Sequence, residues 1–213
     1  KTSGVPISHL RFGDKPIRSS YYVAKADFVA CHAPAYIDKH FKIAQGVKPH
    51  GTLLINCQWK PEELGQHLSA DEKRYIAQND IHVYMINAID LAQKIGMGKR
   101  TNTVLQSAFF ALSHVIPIDD AITYMKEAAK NSYASKGQDI VEMNYKAIDA
   151  GATAFERFDV PESWKNPEAD PEPAQLTGAP ALVKQVVEIQ KPTNLMEGDS
   201  LPVSAFADHA DGR

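Results

Sequence analysis

Short apolar runs of strand length alternate with helix-period segments through the first half of the chain. VPISHLRF (5–12), ADFVACH (26–32), GTLLINC (51–57) and IHVYMI (81–86) are rich in β-branched residues, lie among turn residues, and read as strands. Between them PAYIDKHFKIAQGV (34–47), SADEKRYIAQND (69–80) and INAIDLAQKI (86–95) read as helices or helical turns. Ser69, three residues ahead of Glu72, has capping-box spacing and predicts a helix start near residue 70. Strand followed by helix, repeated, predicts an α/β layered sheet.

Beyond Gly98 the pattern becomes helix upon helix: TNTVLQSAFFALSHV (101–115), IDDAITYMKEAAKNSYA (118–134), and a span from Gln138 to Phe158. Pro117 with Asp119 and Asp120 marks the second start, where acidic residues suit the first turn. These helices are expected to cover one face of the sheet. From Val160 the apolar periodicity fades, and PESWKNPEADPEPAQLTGAP (161–180) is dense in proline and acid. That stretch reads as an extended connector with one short helix at ALVKQVVEIQK (181–191). The expected architecture is a three-layer α/β/α domain with a mostly parallel sheet over residues 1–158, then a largely irregular segment over 159–213.

Composition narrows the picture. With 213 residues, 44% of them hydrophobic, the chain can bury one ordinary core, and a net charge of −3 gives no global basic field for nucleic acid or a membrane surface. No run of eighteen apolar residues occurs, and KTSGVPISHL lacks the apolar centre of a signal peptide, so a cytoplasmic location is expected. The chain opens at Lys1 without an initiator methionine and is expected to be a piece of something longer. Cys31 and Cys57 each end an apolar run and read as buried reduced thiols, and the scattered histidines, His32 and His114 among them, show no metal-ligand spacing.

Two places carry candidate chemistry. In open α/β sheets the crevice lies beyond the carboxyl ends of the strands, where His32, Asn56, Trp59 and Asn87 fall. Each also has a structural reading: Asn87 is a good N-cap and Trp59 a core residue. The second place is IGMGKRTNTVLQSAFFAL (95–112), which sets two glycines and two cations at the mouth of an uncharged apolar helix. Helix entrances expose unpaired N–H groups and the positive end of the dipole, so cations there are misplaced unless an anion shares the site. Gly98 lets backbone approach, Lys99 and Arg100 bring charge, and Asn102 can donate an amide, an inventory suited to phosphate or pyrophosphate. Without a third glycine or a preceding strand, the turn falls short of a dinucleotide fingerprint.

Taken in order, GVPISHLRFGDKPIRSSYYVAKADFVACHAPAY (4–36), the glycine-basic turn running into NTVLQSAFFAL (102–112), EMNYKAIDAGATAFERFDVPESW (142–164) and GDSLPVSAF (198–206) resemble pyruvate:ferredoxin (flavodoxin) oxidoreductase. The resemblance covers its gamma-type domain and the connector before its iron–sulfur domain. It implies a whole enzyme that decarboxylates a 2-oxoacid on thiamine diphosphate and Mg, passes electrons through 4Fe-4S clusters to ferredoxin or flavodoxin, and forms acetyl-coenzyme A. Those cofactors are expected in other domains or subunits of a homo-oligomeric enzyme. The resemblance implies coenzyme A binding at this domain, through Gly98, Lys99, Arg100 and Asn102, with Lys1 in a lysine-rich approach loop. No catalytic or metal-binding residue is assigned to the chain. The alternative is a scaffold that packs the thiamine diphosphate and iron–sulfur domains without touching ligand.

Overall fold

The computed structural model describes residues 7–18, 22–171 and 178. Its centre is a four-stranded sheet in the order β1 (Ala26–Cys31), β2 (Val47–Asn56), β3 (His82–Ile86) and β4 (Phe155–Phe158). The first three strands run parallel, with Leu54 opposite Tyr84 and Ala30, and β4 returns antiparallel, setting Phe155 against Ile86. The sheet is therefore mostly parallel, as the alternating pattern predicts.

A strand buried on both faces must be apolar at successive positions, and TLLI is such a run. Leu53 and Ile55 face one side with Val83 and Met85, where Ile37, Leu64, Leu68, Ile76 and Trp164 complete a core. Leu54 and Ile86 face the other core, made with Ala88, Val104, Leu105, Ala108 and Ala147. Burying each large aliphatic chain contributes about 1.5–3 kcal/mol. The first layer is built from α1 (Ala35–Asp38), α2 (Leu64–His67) and α3 (Ala70–Gln78). The opposite layer holds α4 (Ala88–Ile95), α5 (Asn102–Ser113) and α7 (Gln138–Gly151). Outside them lies α6 (Ile118–Tyr133), whose Met125 and Ala129 pack on Ile148. The three layers expected of the sequence are present.

The tightest packing in the helical layer is the crossing of α5 and α7. A Cβ on Gly151 would stand 2.4 Å from the carbonyl oxygen of Val104, so only glycine permits this approach. Nearby, Ser107 Oγ donates to the Ile148 carbonyl at 2.5 Å, and Thr103 Oγ1 donates to Asn144 Oδ1 at 3.3 Å.

Two predicted elements differ. Residues 7–12 of the expected first strand are irregular and pair with no strand among the described residues, and strand propensity counts only on a pleated, half-buried surface. The helix or helical turns expected over 34–47 are present as turns, one at Ala35–Asp38 and a 3-10 turn at Ala44–Gly46. His40 lies between them with a φ of 56°. The helix expected to run from Gln138 to Phe158 stops at Gly151, and Phe155–Phe158 pairs with β3 instead, alternating side chains across the sheet.

Beyond β4 the chain stays on the domain for some distance. Trp164, in a 3-10 turn over Glu162–Lys165, is 7% exposed and lies against the face of Phe158 at 5.2 Å. Asp170 accepts the Ala70 amide at 2.9 Å, placing a carboxylate at the positive end of α3. The short helix expected at 181–191 lies outside the described residues.

Candidate functional site

The strand-end residues come together, and they are occupied with one another. Asn56, 2% exposed at the end of β2, donates Nδ2 to the His32 carbonyl at 2.9 Å and accepts the Ala88 amide at 3.0 Å. One side chain thus ties the exits of all three parallel strands. Asn87 caps α4, its Oδ1 accepting the Asp90 amide at 3.0 Å and its Nδ2 donating to Asp90 Oδ2 at 2.8 Å. Gln58 Nε2 donates to the other oxygen of Asp90 at 2.6 Å. Trp59 stacks on His67 with ring centres 3.7 Å apart, and Nδ1 of His67 is held by Asp38 Oδ1 at 2.7 Å. The imidazole of His32 is pushed below its ordinary pKa by burial, which keeps it neutral near pH 7.

The glycine-basic turn is a different environment. After α4, Gly96 adopts a φ of 93°, its amide donating to Gln93 at 3.0 Å and the Met97 amide to Ala92 at 2.8 Å, the paired bonds of a Schellman ending. Gly98 follows with a φ of 61°, and nothing lies within 4 Å of where its Cβ would be. The Arg100 amide closes a tight turn onto Met97 at 3.2 Å. Thr101 occupies the N-cap of α5 but makes no side-chain cap bond to the first amides of the helix. Gly98, Lys99, Arg100 and Asn102 are all exposed. Among the described residues neither Lys99 nor Arg100 pairs with a carboxylate. Lys94, in the last turn of α4, adds a third cation, and the sequence holds no acidic residue between Asp90 and Asp119.

The structure therefore gathers Gly98, Lys99, Arg100 and Asn102 on one exposed turn and separates them from the strand ends by the length of α4. Eight residues at 1.5 Å rise make that about 12 Å. Lys1 lies outside the described residues. Both cysteines are free and buried, and burial pushes Cys31 up to about 12 and Cys57 to about 11. Among the described residues no group of three or more His, Cys, Asp or Glu could hold a metal ion, and no helix is long and apolar enough to cross a membrane.

One buried charge-bearing group escapes the sequence pattern. Glu72, legible only as the partner of a Ser69 cap, is 1% exposed, with Oε1 unpartnered and Oε2 accepting from Ser69 Oγ at 3.2 Å. Burial raises its carboxyl to about 7, against the lowering influence of Ser69 and the amides of Ala44 and Ile43.

Comparison with known proteins places the chain. The family described as pyruvate ferredoxin/flavodoxin oxidoreductase matches residues 1–154. The pyruvate-flavodoxin oxidoreductase of Enterobacter agglomerans is 46% identical over 213 residues, which is 100% of this chain and 18% of that protein. The pyruvate:ferredoxin oxidoreductase of Moorella thermoacetica is 42% identical over 206 residues, 97% of this chain and 17% of that one. The chain thus spans less than a fifth of the length of these relatives. Among solved structures, the pyruvate oxidoreductase subunit PORC of Thermotoga maritima aligns with a TM-score of 0.51 over 64% of this chain and 67% of its own, at 15% identity, a likeness of fold. By the family match and by identity along its whole length, the chain belongs to the pyruvate ferredoxin/flavodoxin oxidoreductase family.

Proposed function

We propose that the chain is one part of an enzyme that oxidises a 2-oxoacid, pyruvate in the first instance, to acetyl-coenzyme A and CO2 with ferredoxin or flavodoxin as acceptor. Its own share is to bind and position coenzyme A at the turn Gly98–Asn102. The observation that carries this reading is the turn itself: two cations without carboxylate partners and uncapped helix amides around an open glycine. Coenzyme A brings a pyrophosphate and a 3′-phosphate, anions that such a turn complements.

The described residues do not fit an iron–sulfur cluster, since the chain's two cysteines are buried thiols held well above neutral pKa. Thiamine diphosphate, its Mg ion and the clusters are assigned to the rest of the enzyme. The chain's contribution is positional. Anchoring the nucleotide end of coenzyme A makes the meeting of its thiol with an acyl intermediate held elsewhere nearly intramolecular.

The test is a coenzyme A titration of the complete enzyme with Arg100→Ala. A charge-assisted bond to an exposed, screened phosphate contributes about 1.5 kcal/mol, so the dissociation constant should rise roughly tenfold, with saturated turnover little changed. Equal constants in wild type and variant, at matched assembly, would remove the turn from the site. That result would leave the scaffold reading in possession.

A further inference from the structure

The glycine-basic turn has an exposed tip and anchored feet. Gly98, Lys99, Arg100 and Asn102 are exposed, while Met97 before them and Thr103 after them are half-buried. Met97 packs on the core that Val104, Leu105 and Ala147 share. A Cβ on Gly96 would stand 3.3 Å from the sulfur of Met143, so α7 reaches the chain where it leaves α4. One residue further along α7, Asn144 Oδ1 accepts the Thr103 hydroxyl at 3.3 Å. Two successive residues of α7 therefore meet the turn at its entry and at its exit.

Asn144 is 4% exposed, and its amide is held in one orientation: Nδ2 donates to the Ile140 carbonyl at 2.8 Å, which leaves Oδ1 for Thr103. Thr103 is the second residue of α5. The ladder of that helix opens with the Leu105 amide on the Thr101 carbonyl at 3.0 Å, so the Thr103 amide is among the donors at the entrance that the ladder does not use. A bond to its hydroxyl fixes the direction in which those donors point. The other close ties of α7 to α5, the Ser107 hydroxyl on the Ile148 carbonyl and the Val104 carbonyl against Gly151, also fall in the first half of this 12-residue helix. The end of α5 that carries the turn is the end that α7 holds.

We propose that Asn144, acting through the Thr103 hydroxyl, is a positioning residue for the turn. It sets the entrance of α5 and the adjoining Arg100 in the geometry that receives a phosphate before the ligand arrives. The proposal rests on reading Gly98–Asn102 as the coenzyme A contact. A loop already held in its binding geometry loses less freedom when it binds, and its ligand is held more tightly for that reason. Asn144 itself is buried below the exposed tip and acts without touching the anion.

The experiment uses the complete enzyme at matched assembly. Thr103→Val keeps the shape and removes the hydroxyl, and it should raise the coenzyme A dissociation constant about fivefold, the factor for one ordinary hydrogen bond, with turnover at saturating coenzyme A little changed. Thr103→Ser should restore affinity close to that of wild type. Asn144→Ala should match Thr103→Val, and the double variant should be no weaker than either, because both remove the same bond. Ser107→Ala, which removes the other hydrogen bond between α5 and α7, should leave the dissociation constant unchanged. Without coenzyme A, amide exchange over residues 98–104 should be faster in Thr103→Val than in wild type.

A wild-type dissociation constant or wild-type exchange in Thr103→Val would overturn the proposal. So would an equal rise in Ser107→Ala, which would show that any loosening of α5 against α7 has the same effect. Arg100→Ala, titrated alongside, separates the two readings. A rise there with none in Thr103→Val removes the positioning role alone, and no rise in either removes the coenzyme A site with it.

Discussion

Replacing Glu72 by glutamine should flatten part of the pH dependence of stability. The carboxyl of Glu72 is 1% exposed, its Oε1 has no partner, and burial lifts it from 4.5 to about 7. Because the folded-state value lies above the unfolded one, the protonated form is favoured in the native chain. The stability tied to that form is complete below about pH 4.5 and is lost as pH rises through about 7. Integrating the linkage from pH 5 to pH 8 gives a loss of about 2–3 kcal/mol from this one group. A glutamine keeps the shape without the charge, so Glu72→Gln should lose that much less stability over the same range than wild type does. Equilibrium urea unfolding followed by tryptophan fluorescence reads it well, since Trp164 lies in the core bordering α3 and Trp59 packs against it. Differences between the two proteins cancel the titration of every other carboxylate. Parallel stability curves from pH 5 to pH 8 would refute the reasoning and show Glu72 to be solvated or paired.

Gly151→Ala should destabilise the chain by about 1–3 kcal/mol in thermal or urea unfolding, because the gain in helix propensity is smaller than the strain of a Cβ 2.4 Å from the Val104 carbonyl. Neutral or increased stability would show that α5 and α7 separate freely. Asn56→Ala should cost about 2–4 kcal/mol by stranding the His32 carbonyl and the Ala88 amide, and a loss below 1 kcal/mol would mean water replaces both bonds. Cys31 and Cys57 should react with a thiol-directed aromatic disulfide at pH 8 only after denaturant is added, and a rapid two-thiol reaction of the folded chain would contradict their burial.

The elements legible in the sequence are those whose local and tertiary demands agree. Strands β2 and β3 are apolar at successive positions because both faces are covered, and α3 and α4 begin where Ser69 and Asn87 each accept an amide three residues on. Misreadings arise where two demands conflict. FERF follows a helical stretch without a proline, yet Phe155 and Phe158 find partners on β3 that no local pattern reveals. Over 34–47, read as helix or helical turns, the structure holds the turns alone, with His40 between them at a positive φ. The glycine-basic turn was readable as a turn, because φ values of 93° and 61° at Gly96 and Gly98 are what glycine is placed to supply. The buried Glu72 was not readable, since a capping glutamate is ordinarily exposed.

The two candidate places differ in what a ligand would have to displace. At the strand ends, Asn56, Asn87, Gln58, Asp90, His67 and Asp38 have spent their hydrogen bonds on one another and on the backbone. A ligand entering there must compete with such bonds, and at Asn56, the one buried side chain of the set, each group left unmatched costs about 1–3 kcal/mol. Trp59 offers no relief, because one of its faces is already taken by His67. At the turn, about 12 Å away along α4, the helix entrance has no side-chain cap, Lys99 and Arg100 have no carboxylate partner among the described residues, and Gly98 is open. An anion of the kind proposed there would break no described ion pair of Lys99 or Arg100 and would sit at the positive end of α5. The proposed site is therefore the turn, although the general rule for open α/β sheets points to the strand ends.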